Sequence, residues 1–517
     1  APEKAVRHVE SALAAEPTDA DALHELSLVH EALGHLPEAL EVARHLIDVT
    51  EGHARGDALV RRGQLELAAG DRNQAKSALR DAVGLEGPGS DAARTLESLC
   101  ETPDDWRGYA DALSNHVARD QGGRVSTALE VARILSDHCQ DERAAISALH
   151  GALEEGSSNA VLRRELAVRL RAQGDAAAAV EQLQEVLAQE PLLDEIWREL
   201  ALTYQSTGRP REARIAALPL QALGVDSEDD RERIAAVESR AGMVRPRSLR
   251  GSVLDQLGTS RESDTAAGAL LSALSPALAK LYPAELERYG LATRDRLPTE
   301  ANHPLREIAN RIAAALDIHN FDLFLHRVRN RAVTIEFGTH PAVLVPATIM
   351  EKGPSTQAFM LARPMTHIAR GYHAVEKLTP RELDVLLASA ARLVKPDFGL
   401  GLTSEEFLTE QTRRLQRAIP RRDRKLVRDA ALAYSQAGRV KFDRWVNAAE
   451  RTATRVALLV CDDLDPFVQD VRSRIAPERE AEGATFDTHP TYVDAMKFWA
   501  SPAAMLLREH MGMLLTR

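Results

Sequence analysis

A repeat with a period of 34 residues constrains the fold of this chain more than any other feature of its sequence. Gly174 and Gly208 are 34 residues apart, and so are Ala179 and Ala213. In a chain of paired helices, small alanines let antiparallel helices approach closely, and a glycine permits the tight turn between them. One such pair cannot bury its apolar face alone. The period therefore predicts stacked helical hairpins, an α-solenoid.

The best-defined unit resembles the tetratricopeptide repeat. The residues at the characteristic offsets of that family are Trp197, Leu200, Ala201, Tyr204, Gly208 and Ala213. Looser copies centre on Gly34, Gly70 and Cys139, each at the turn position. The stretch from Asp104 to Gly123 matches poorly, so we expect irregular chain or a half-matched helix there. About five units are therefore expected, in a repeat domain of residues 1–224.

The resemblance implies a groove that binds protein partners along the first helix of each pair. In the two best units the positions lining it are Arg164, Val168, Arg171, Arg198, Leu202 and Gln205. The three arginines suit an acidic or extended peptide, because guanidinium groups form strong paired hydrogen bonds with carboxylates. The alternative is an ordinary solvated helix face.

Composition argues against several classes of function. The formal net charge of −12 argues against general affinity for nucleic acid or anionic membranes. There is no apolar run of about 18 residues, so we expect no membrane insertion. Cys100, Cys139 and Cys461 are few and scattered, which indicates a reducing compartment, and we expect the cytoplasm. The chain opens on Ala1-Pro2 within a helical pattern, so we expect it to be a piece of a longer protein, in which a leader or an anchor can precede it.

The remaining residues predict a linker and a second domain. A charged segment at 225–263, punctuated by glycine and proline, predicts a linker with a short helix at about 231–240. From 264 to 517 the periodicity predicts a mainly helical α+β domain. Its short β-rich runs, at 321–328, 332–338 and 342–350, predict a small sheet. Helices are predicted at 355–378, 380–394, 404–418, 421–437, 440–461 and 464–474. The fold class expected for the whole chain is mainly α.

The order of elements over residues 300–475 resembles the catalytic core of HtpX-like gluzincin metallopeptidases. In that family a long helix carries two zinc-ligating histidines and a catalytic glutamate, and a later helix supplies a glutamate ligand. The resemblance places Arg363 at the first ligand and Pro364 at the general base. It places His367 at the second ligand and Glu450 at the third. A guanidinium remains protonated and cannot ligate a metal, and proline cannot act as a base.

These substitutions imply an inactive, peptidase-like domain, with no catalytic residue, no metal and no cofactor. Arg363 is expected to pair with Glu450 in place of the ion, within about 4 Å. The expected function is a non-catalytic adaptor or assembly scaffold that binds protein partners in a bacterial-type complex. Two alternatives remain: a metal-dependent hydrolase using His367 and Glu450, and a regulator that senses a peptide or small ligand in the vacated cleft. The basic run at 412–430 is expected to bind an acidic partner, or the acidic repeat domain of its own chain, rather than nucleic acid.

Overall fold

The structure is a computed structural model that describes residues 2–117, 123–153, 159–251, 253, 266–328, 332–474 and 489–514. The chain divides into two compact units, Ala1–Val186 and Leu187–Arg517. Both units are mainly helical, and a three-stranded sheet lies in the second. The predicted fold class, a mainly α chain with helical repeats and a small-sheet domain, is confirmed. None of the helices in the described segments combines the length and the apolar composition needed to cross a bilayer.

The first unit is a series of antiparallel helix pairs. Its helices are α1 Pro2–Ala15, α2 Ala20–Ala32, α3 Leu36–Val49, α4 Gly52–Ala68, α5 Arg72–Glu86, α6 Asp91–Leu99, α7 Pro103–Val117, α8 Arg124–Asp137, α9 Glu142–Ala152, α10 Ala160–Ala172 and α11 Ala176–Gln189. Close packing within a pair is clearest at Gly63 of α4, where a Cβ atom would lie 2.9 Å from Leu79 Cγ of α5. The small residue therefore lets the two helices approach, as the repeat pattern predicts.

The turn between α8 and α9 differs from the prediction by one residue. The left-handed backbone conformation lies at Gln140, with φ 53°, and not at Cys139. Cys139 is partly buried, and its thiol donates to the carbonyl of Pro103 at 3.4 Å. The equivalent position between α10 and α11 is Gly174, with φ 87°, where the absence of a Cβ removes the strain.

The stretch from Asp104 to Gly123 contains, in its described part, the helix that the sequence allowed there, in place of irregular chain. Helix α7 runs from Pro103 to Val117, and residues 118–122 lie outside the described residues. Thr102 Oγ1 accepts from the Asp105 backbone N–H, and the Asp105 carboxylate accepts from the Thr102 backbone N–H. These reciprocal bonds start the helix without a glycine turn. Trp106 then stacks on His138, with ring centroids 3.7 Å apart. The poorly matched stretch therefore supplies one more helix of the array, which packs against α5 and α8.

The second unit contains the best-matched repeat pair and the helices around the sheet. They are α12 Asp194–Ser206, α13 Pro210–Leu223, α14 Glu228–Ala235, α15 Ala266–Leu274, α16 Leu278–Leu281, α17 Pro304–Ala315, α18 Pro354–Arg370, α19 Pro380–Ala391, α20 Glu405–Ala418, α21 Arg424–Ala437, α22 Phe442–Cys461, α23 Asp465–Arg474, α24 Pro490–Trp499 and α25 Pro502–His510. Short 3-10 helices span Ser275–Ala277, Leu286–Tyr289, Thr293–Asp295, Ala347–Glu351, His373–Glu376 and Arg421–Asp423. Helix α18 ends at Arg370, earlier than predicted, because Gly371 adopts the left-handed C-cap conformation at φ 70°.

The predicted linker is partly helical. Helix α14 begins three residues before the predicted start, because Ser227 and Asp230 form a capping box. Residues 252 and 254–263 of the predicted linker lie outside the described residues. The compact units divide after Val186, so α12 and α13 belong to the second unit, whereas the predicted repeat domain extends to residue 224.

The three predicted strands are confirmed, and they form one sheet. They are β1 Asp322–His326, β2 Thr334–Phe337 and β3 Pro341–Pro346, in the order β1-β3-β2. Strand β3 runs parallel to β1 and antiparallel to β2. Val343 lies between Leu323 and Ile335 in the register, and all three are fully buried. The chain then passes from β3 through a 3-10 helix into α18, which carries the candidate site.

A proline inside α13 is compensated by a distant tryptophan. Pro219 has no backbone N–H, so it cannot donate to the carbonyl of Ile215, its partner one helical turn earlier. The indole Nε1 of Trp499 donates to that carbonyl at 2.7 Å. Trp499 is fully buried, as is Arg508 beside it, whose guanidinium carbon lies 4.2 Å from the indole ring. The apolar helices at 490–510 are therefore docked on the core of the second unit.

Candidate functional site

The candidate site lies where α18 packs against α22. Pro354 stands in the first turn of α18, where its missing N–H has no partner to lose, and Gly371 ends the helix. Both helices bury small residues that permit close approach, namely Ala358, Ala362, Ala449 and Ala453. The packing brings together side chains that are far apart in the sequence.

Arg363 and Glu450 form the ion pair that the sequence predicts. Arg363 Nη2 lies 2.6 Å from Glu450 Oε2. The same guanidinium reaches Asp470 of α23, with Nη1 3.3 Å from Oδ2. The side chain of Arg363 is 18% exposed and those of both carboxylates are 30% exposed, so water screens the pairs only in part. Asp470 was not predicted as a member of this cluster.

The charges of this cluster stabilise one another. Burial disfavours the positive charge of Arg363, but Glu450 and Asp470 outweigh it and hold the pKa of Arg363 above its ordinary value. Burial alone would raise the pKa of Glu450, but contacts with His367 and Arg363 hold it well below its ordinary value. Glu450 is therefore ionised at neutral pH, and Arg363 supplies part of its counter-charge.

His367 is buried between two carboxylates. Its Nε2 lies 3.6 Å from Glu450 Oε1 and 3.5 Å from Glu376 Oε1, and it has no hydrogen-bond partner among the described residues. Burial raises the pKa of Glu376, and the negative charge of Glu450 adds to this effect. His373 is also buried, which lowers its pKa to about 4 and keeps it neutral.

Glu376, like Asp470, is a site residue that the sequence analysis missed. Beyond Gly371, the Tyr372 N–H bonds to the carbonyl of His367 at 2.7 Å, and the chain turns back on the helix. The 3-10 helix that follows, His373–Glu376, returns the chain to His367. The sequence feature that could have indicated it is Gly371 at the end of α18. A glycine there predicts a chain reversal, which places the residues after it close to the last helical turn.

The donor set of His367, Glu376 and Glu450 fits a divalent cation in number and spacing. Their candidate ligand atoms all lie within 4.8 Å of one another. Tetrahedral ligands about 2.0 Å from a zinc ion stand about 3.3 Å apart, close to the two separations at His367. His367 Nε2 is buried and has no hydrogen-bond partner among the described residues, so it is available to bind a cation. The positive charge of Arg363, in contact with Glu450, opposes it.

A cavity of about 760 Å³ opens beside this cluster. Its lining includes Phe359, Met360, Arg363, Pro364, Glu376 and Asp470. Pro364 stands inside α18 at the position predicted for the general base, and it carries no group that can take a proton. A cavity with charged and apolar walls therefore lies where the resemblance placed the vacated cleft.

The predicted peptide groove is divided between the two units. Arg164, Val168 and Arg171 lie on α10, where Arg164 is exposed and the other two are partly buried. Arg198, Leu202 and Gln205 lie on α12, and α14 of the same unit covers part of that face, as its contacts show.

Two contacts fix α14 on α12. Arg198 Nη1 lies 2.6 Å from Oδ2 of Asp230, a fully buried residue, and Arg233 donates to the Gln205 side chain. The chain itself therefore supplies the acidic partner of Arg198.

A second groove, which was not predicted, crosses the first unit over α2, α4 and α6. It encloses about 880 Å³. Its lining includes Asp21, His24, Asp57, Gln64, Glu86 and Arg94. A Cβ atom at Gly56 of α4 would overlap the Glu86 carboxylate, so the glycine leaves the space that this side chain occupies. Three alternate helices of the array, α2, α4 and α6, thus share one polar groove.

Solved structures similar to this chain include the following two. The C-terminal part of a TPR repeat-containing protein from Cytophaga hutchinsonii is 11% identical, with a TM-score of 0.25, and the match covers 45% of this chain and 94% of that chain. A structure of Naa15/Naa10 bound to HypK-THB is 14% identical, with a TM-score of 0.28, and the match covers 99% of this chain and 86% of that chain. At these TM-scores neither likeness supports an inference about function. No protein-family model and no curated protein matches the sequence.

Proposed function

We propose that this chain is a non-catalytic protein-interaction scaffold that binds an extended segment of a partner protein. The observation that carries the proposal is the groove over α2, α4 and α6, because three alternate helices of the array contribute to it. In an array of helical hairpins such a face stays open along its length, which suits an extended chain.

The charge of the groove indicates the chemistry of the partner. Both arginines of the groove lining already have a carboxylate partner. Arg61 pairs with Glu31, which is not part of the lining, and Arg94 pairs with Asp91, which is. Asp21, Asp57 and Glu86 have no ion pair among the described residues of the unit. Burial raises the pKa of Glu86, and the charge of Asp57 adds to this, so a cation from a partner would relieve both effects. The preferred segment therefore carries lysine or arginine.

The absence of catalysis rests on the cluster at α18 and α22. A guanidinium stands at the first-ligand position and a proline at the base position of an arrangement that resembles a peptidase core. Arg363 supplies positive charge to Glu450 where that family would hold an ion. Under this proposal the second unit is a pseudopeptidase that serves as a structural domain.

Site-specific photo-crosslinking in cells that naturally produce the protein tests the interaction. A crosslinking amino acid replaces His24 or Gln64 in the groove, and Glu41 or Ser77, exposed positions outside its lining, in the controls. We expect one partner adduct from both groove positions and none from the controls. The double neutralisation Asp57→Asn/Glu86→Gln should reduce its yield several-fold. Equal adducts from the control positions, or a yield unchanged by neutralisation, would contradict the proposal.

A second candidate function is a metal-dependent hydrolase, and the ligand spacing favours it. His367, Glu376 and Glu450 would hold a divalent ion, which supplies Lewis-acid chemistry when bound. Titration of the full chain with zinc, after treatment with a chelator, distinguishes the candidates. Stoichiometric binding that His367→Ala abolishes and His510→Ala, an exposed control, preserves would favour the metal site. Retention of no zinc would favour the scaffold.

A further inference from the structure

A second cavity in the second unit is lined by basic side chains. It encloses about 570 Å³ between α17, the residues that follow it into β1, and the segment around Arg247. The basic side chains in its lining are Arg247, Arg296, Arg306, His319 and His340. It shares no lining residue with the cavity beside Arg363.

Arg306 is a buried cation without a counter-ion. It is 2% exposed, and in the described residues no carboxylate lies within ion-pairing distance of it. Its Nη2 donates to Thr299 Oγ1 at 2.9 Å, but Nε and Nη1 have no hydrogen-bond partner in the described part of the chain. The ring of Phe321, 4.3 Å from the guanidinium carbon, is its other close contact. Burial accordingly lowers the pKa of Arg306 from its ordinary value.

The other two arginines of the cavity are already neutralised. Arg247 Nε lies 3.1 Å from Asp317 Oδ1, and Arg296 Nη1 lies 3.0 Å from Asp322 Oδ1. Both aspartates also line the cavity, so three guanidinium groups face two carboxylates. The remaining positive charge is that of Arg306. A buried charge without a counter-ion is unfavourable unless a bound anion pairs with it.

We propose that this cavity binds a phosphate group, with Arg306 as the buried anchor and Arg296 and His340 at its rim. A guanidinium offers its donors as a planar fork that matches the oxygens of a phosphate. Arg306 supplies the uncompensated positive charge, and Arg296 and His340 add N–H donors for the other oxygens of a phosphate, which outnumber those of a carboxylate. The cavity exceeds the size of one phosphate, so the ligand class is a small organic phosphate monoester.

Thermal unfolding of the full chain tests the proposal, with inorganic phosphate as the probe and sodium chloride at equal ionic strength as the reference. A ligand that binds the folded state raises the midpoint with the logarithm of its concentration. We expect phosphate to do so, and chloride not to. The variant Arg306→Met should lose the response and should unfold at a higher temperature than the unmodified chain without phosphate, because an uncompensated buried charge has been removed.

Two surface variants keep the test decisive if Arg306→Met does not fold. Arg296 is 50% exposed. The variant Arg296→Gln should need a phosphate concentration about fivefold higher, or more, to raise the unfolding midpoint by the same amount. Arg288, 67% exposed and absent from the cavity lining, is the matched control, and Arg288→Gln should leave the response unchanged. The proposal is overturned if phosphate acts no more strongly than chloride, or if Arg296→Gln or a folded Arg306→Met retains the full response. Stabilisation by succinate and not by phosphate would also overturn it, in favour of a dicarboxylate site.

Discussion

Arg363 Nη2 of α18 lies 2.6 Å from Glu450 Oε2 of α22, so an ion pair joins the two helices that carry the candidate site. Asp470 of α23 shares the same guanidinium, which ties a third helix to the pair. Because a single cation serves carboxylates from two other helices, its removal should affect stability as well as local charge.

The first prediction concerns this ion pair. Arg363→Met should lower the free energy of unfolding by about 1–3 kcal/mol, because it leaves partly buried carboxylates without their cation. Urea denaturation of the single variants and of Arg363→Met/Glu450→Gln gives the coupling energy. Arg288→Met removes the exposed pair with Glu285 and should change stability by less than about 1 kcal/mol. Additive effects at positions 363 and 450 would show that the contact stabilises nothing.

The second prediction concerns the pH dependence at Glu376. Its folded pKa is raised above the reference value of 4.5 by burial and by Glu450, whereas His367, Arg363 and Arg474 oppose the shift. A raised carboxyl pKa makes the folded state less stable above that pKa, and the penalty vanishes as the pH falls below 4.5. Glu376→Gln should therefore be more stable than the unmodified chain at pH 8 and equal to it near pH 4.

Chemical denaturation across this pH range measures the difference. Glu410→Gln, at a glutamate with 53% exposure, controls for the loss of a surface charge. A Glu376→Gln variant that is less stable at pH 8 would mean that this carboxylate is held by a partner, such as a bound cation.

The third prediction separates the hydrogen bond that Trp499 donates to α13 from the packing of its ring. Trp499→Phe should lower the free energy of unfolding by about 1–3 kcal/mol beyond the loss of volume, because the Ile215 carbonyl loses its donor. In the Pro219→Ala background the new backbone N–H at position 219 can donate to that carbonyl. The same tryptophan substitution should then be less destabilising. Equal effects in both backgrounds would show that the indole acts through packing alone.

The fourth prediction concerns the contact between α4 and α5. Gly63→Ala should destabilise the chain by about 1–3 kcal/mol, because overlap with Leu79 outweighs the gain in helix propensity. Gly151 of α9 is the matched helical glycine, since no atom lies within 4 Å of a Cβ built there. Gly151→Ala should be neutral or stabilising, by up to about 1 kcal/mol. Thermal unfolding compares the two variants, and equal effects would contradict the packing argument.

The parts of the fold that could be predicted from the sequence are those with a local signal. Trp197, Leu200 and Tyr204 occur at helical spacing with a glycine after them, and all three are buried in α12 as expected. The regular extent of α7 was not predicted, because its start uses the Thr102–Asp105 capping box instead of a glycine turn. A capping box is visible in the sequence, but it marks a helix start without revealing the repeat to which the helix belongs.

The candidate site was predictable only where two helices could be aligned. The proximity of His367 and Glu450 was expected from the resemblance to a peptidase core, which places both at ligand positions on the helices that are now α18 and α22. The position of Glu376 depends on a chain reversal after α18, and that of Asp470 depends on where α23 packs. Residue spacing in the sequence predicts neither of them. The unpaired state of Arg306 is also invisible in the sequence, because the aspartates near it are used by other arginines.

The contact between Trp499 and Ile215 also has a consequence for the order of events during synthesis. The Ile215 carbonyl and its donor are separated by 284 residues, so α13 emerges from the ribosome long before the indole that completes it. The first unit depends on contacts within residues 1–186 and can fold while translation continues. The second unit cannot complete this hydrogen bond until residue 499 is available, so in that interval the Ile215 carbonyl lacks its indole donor.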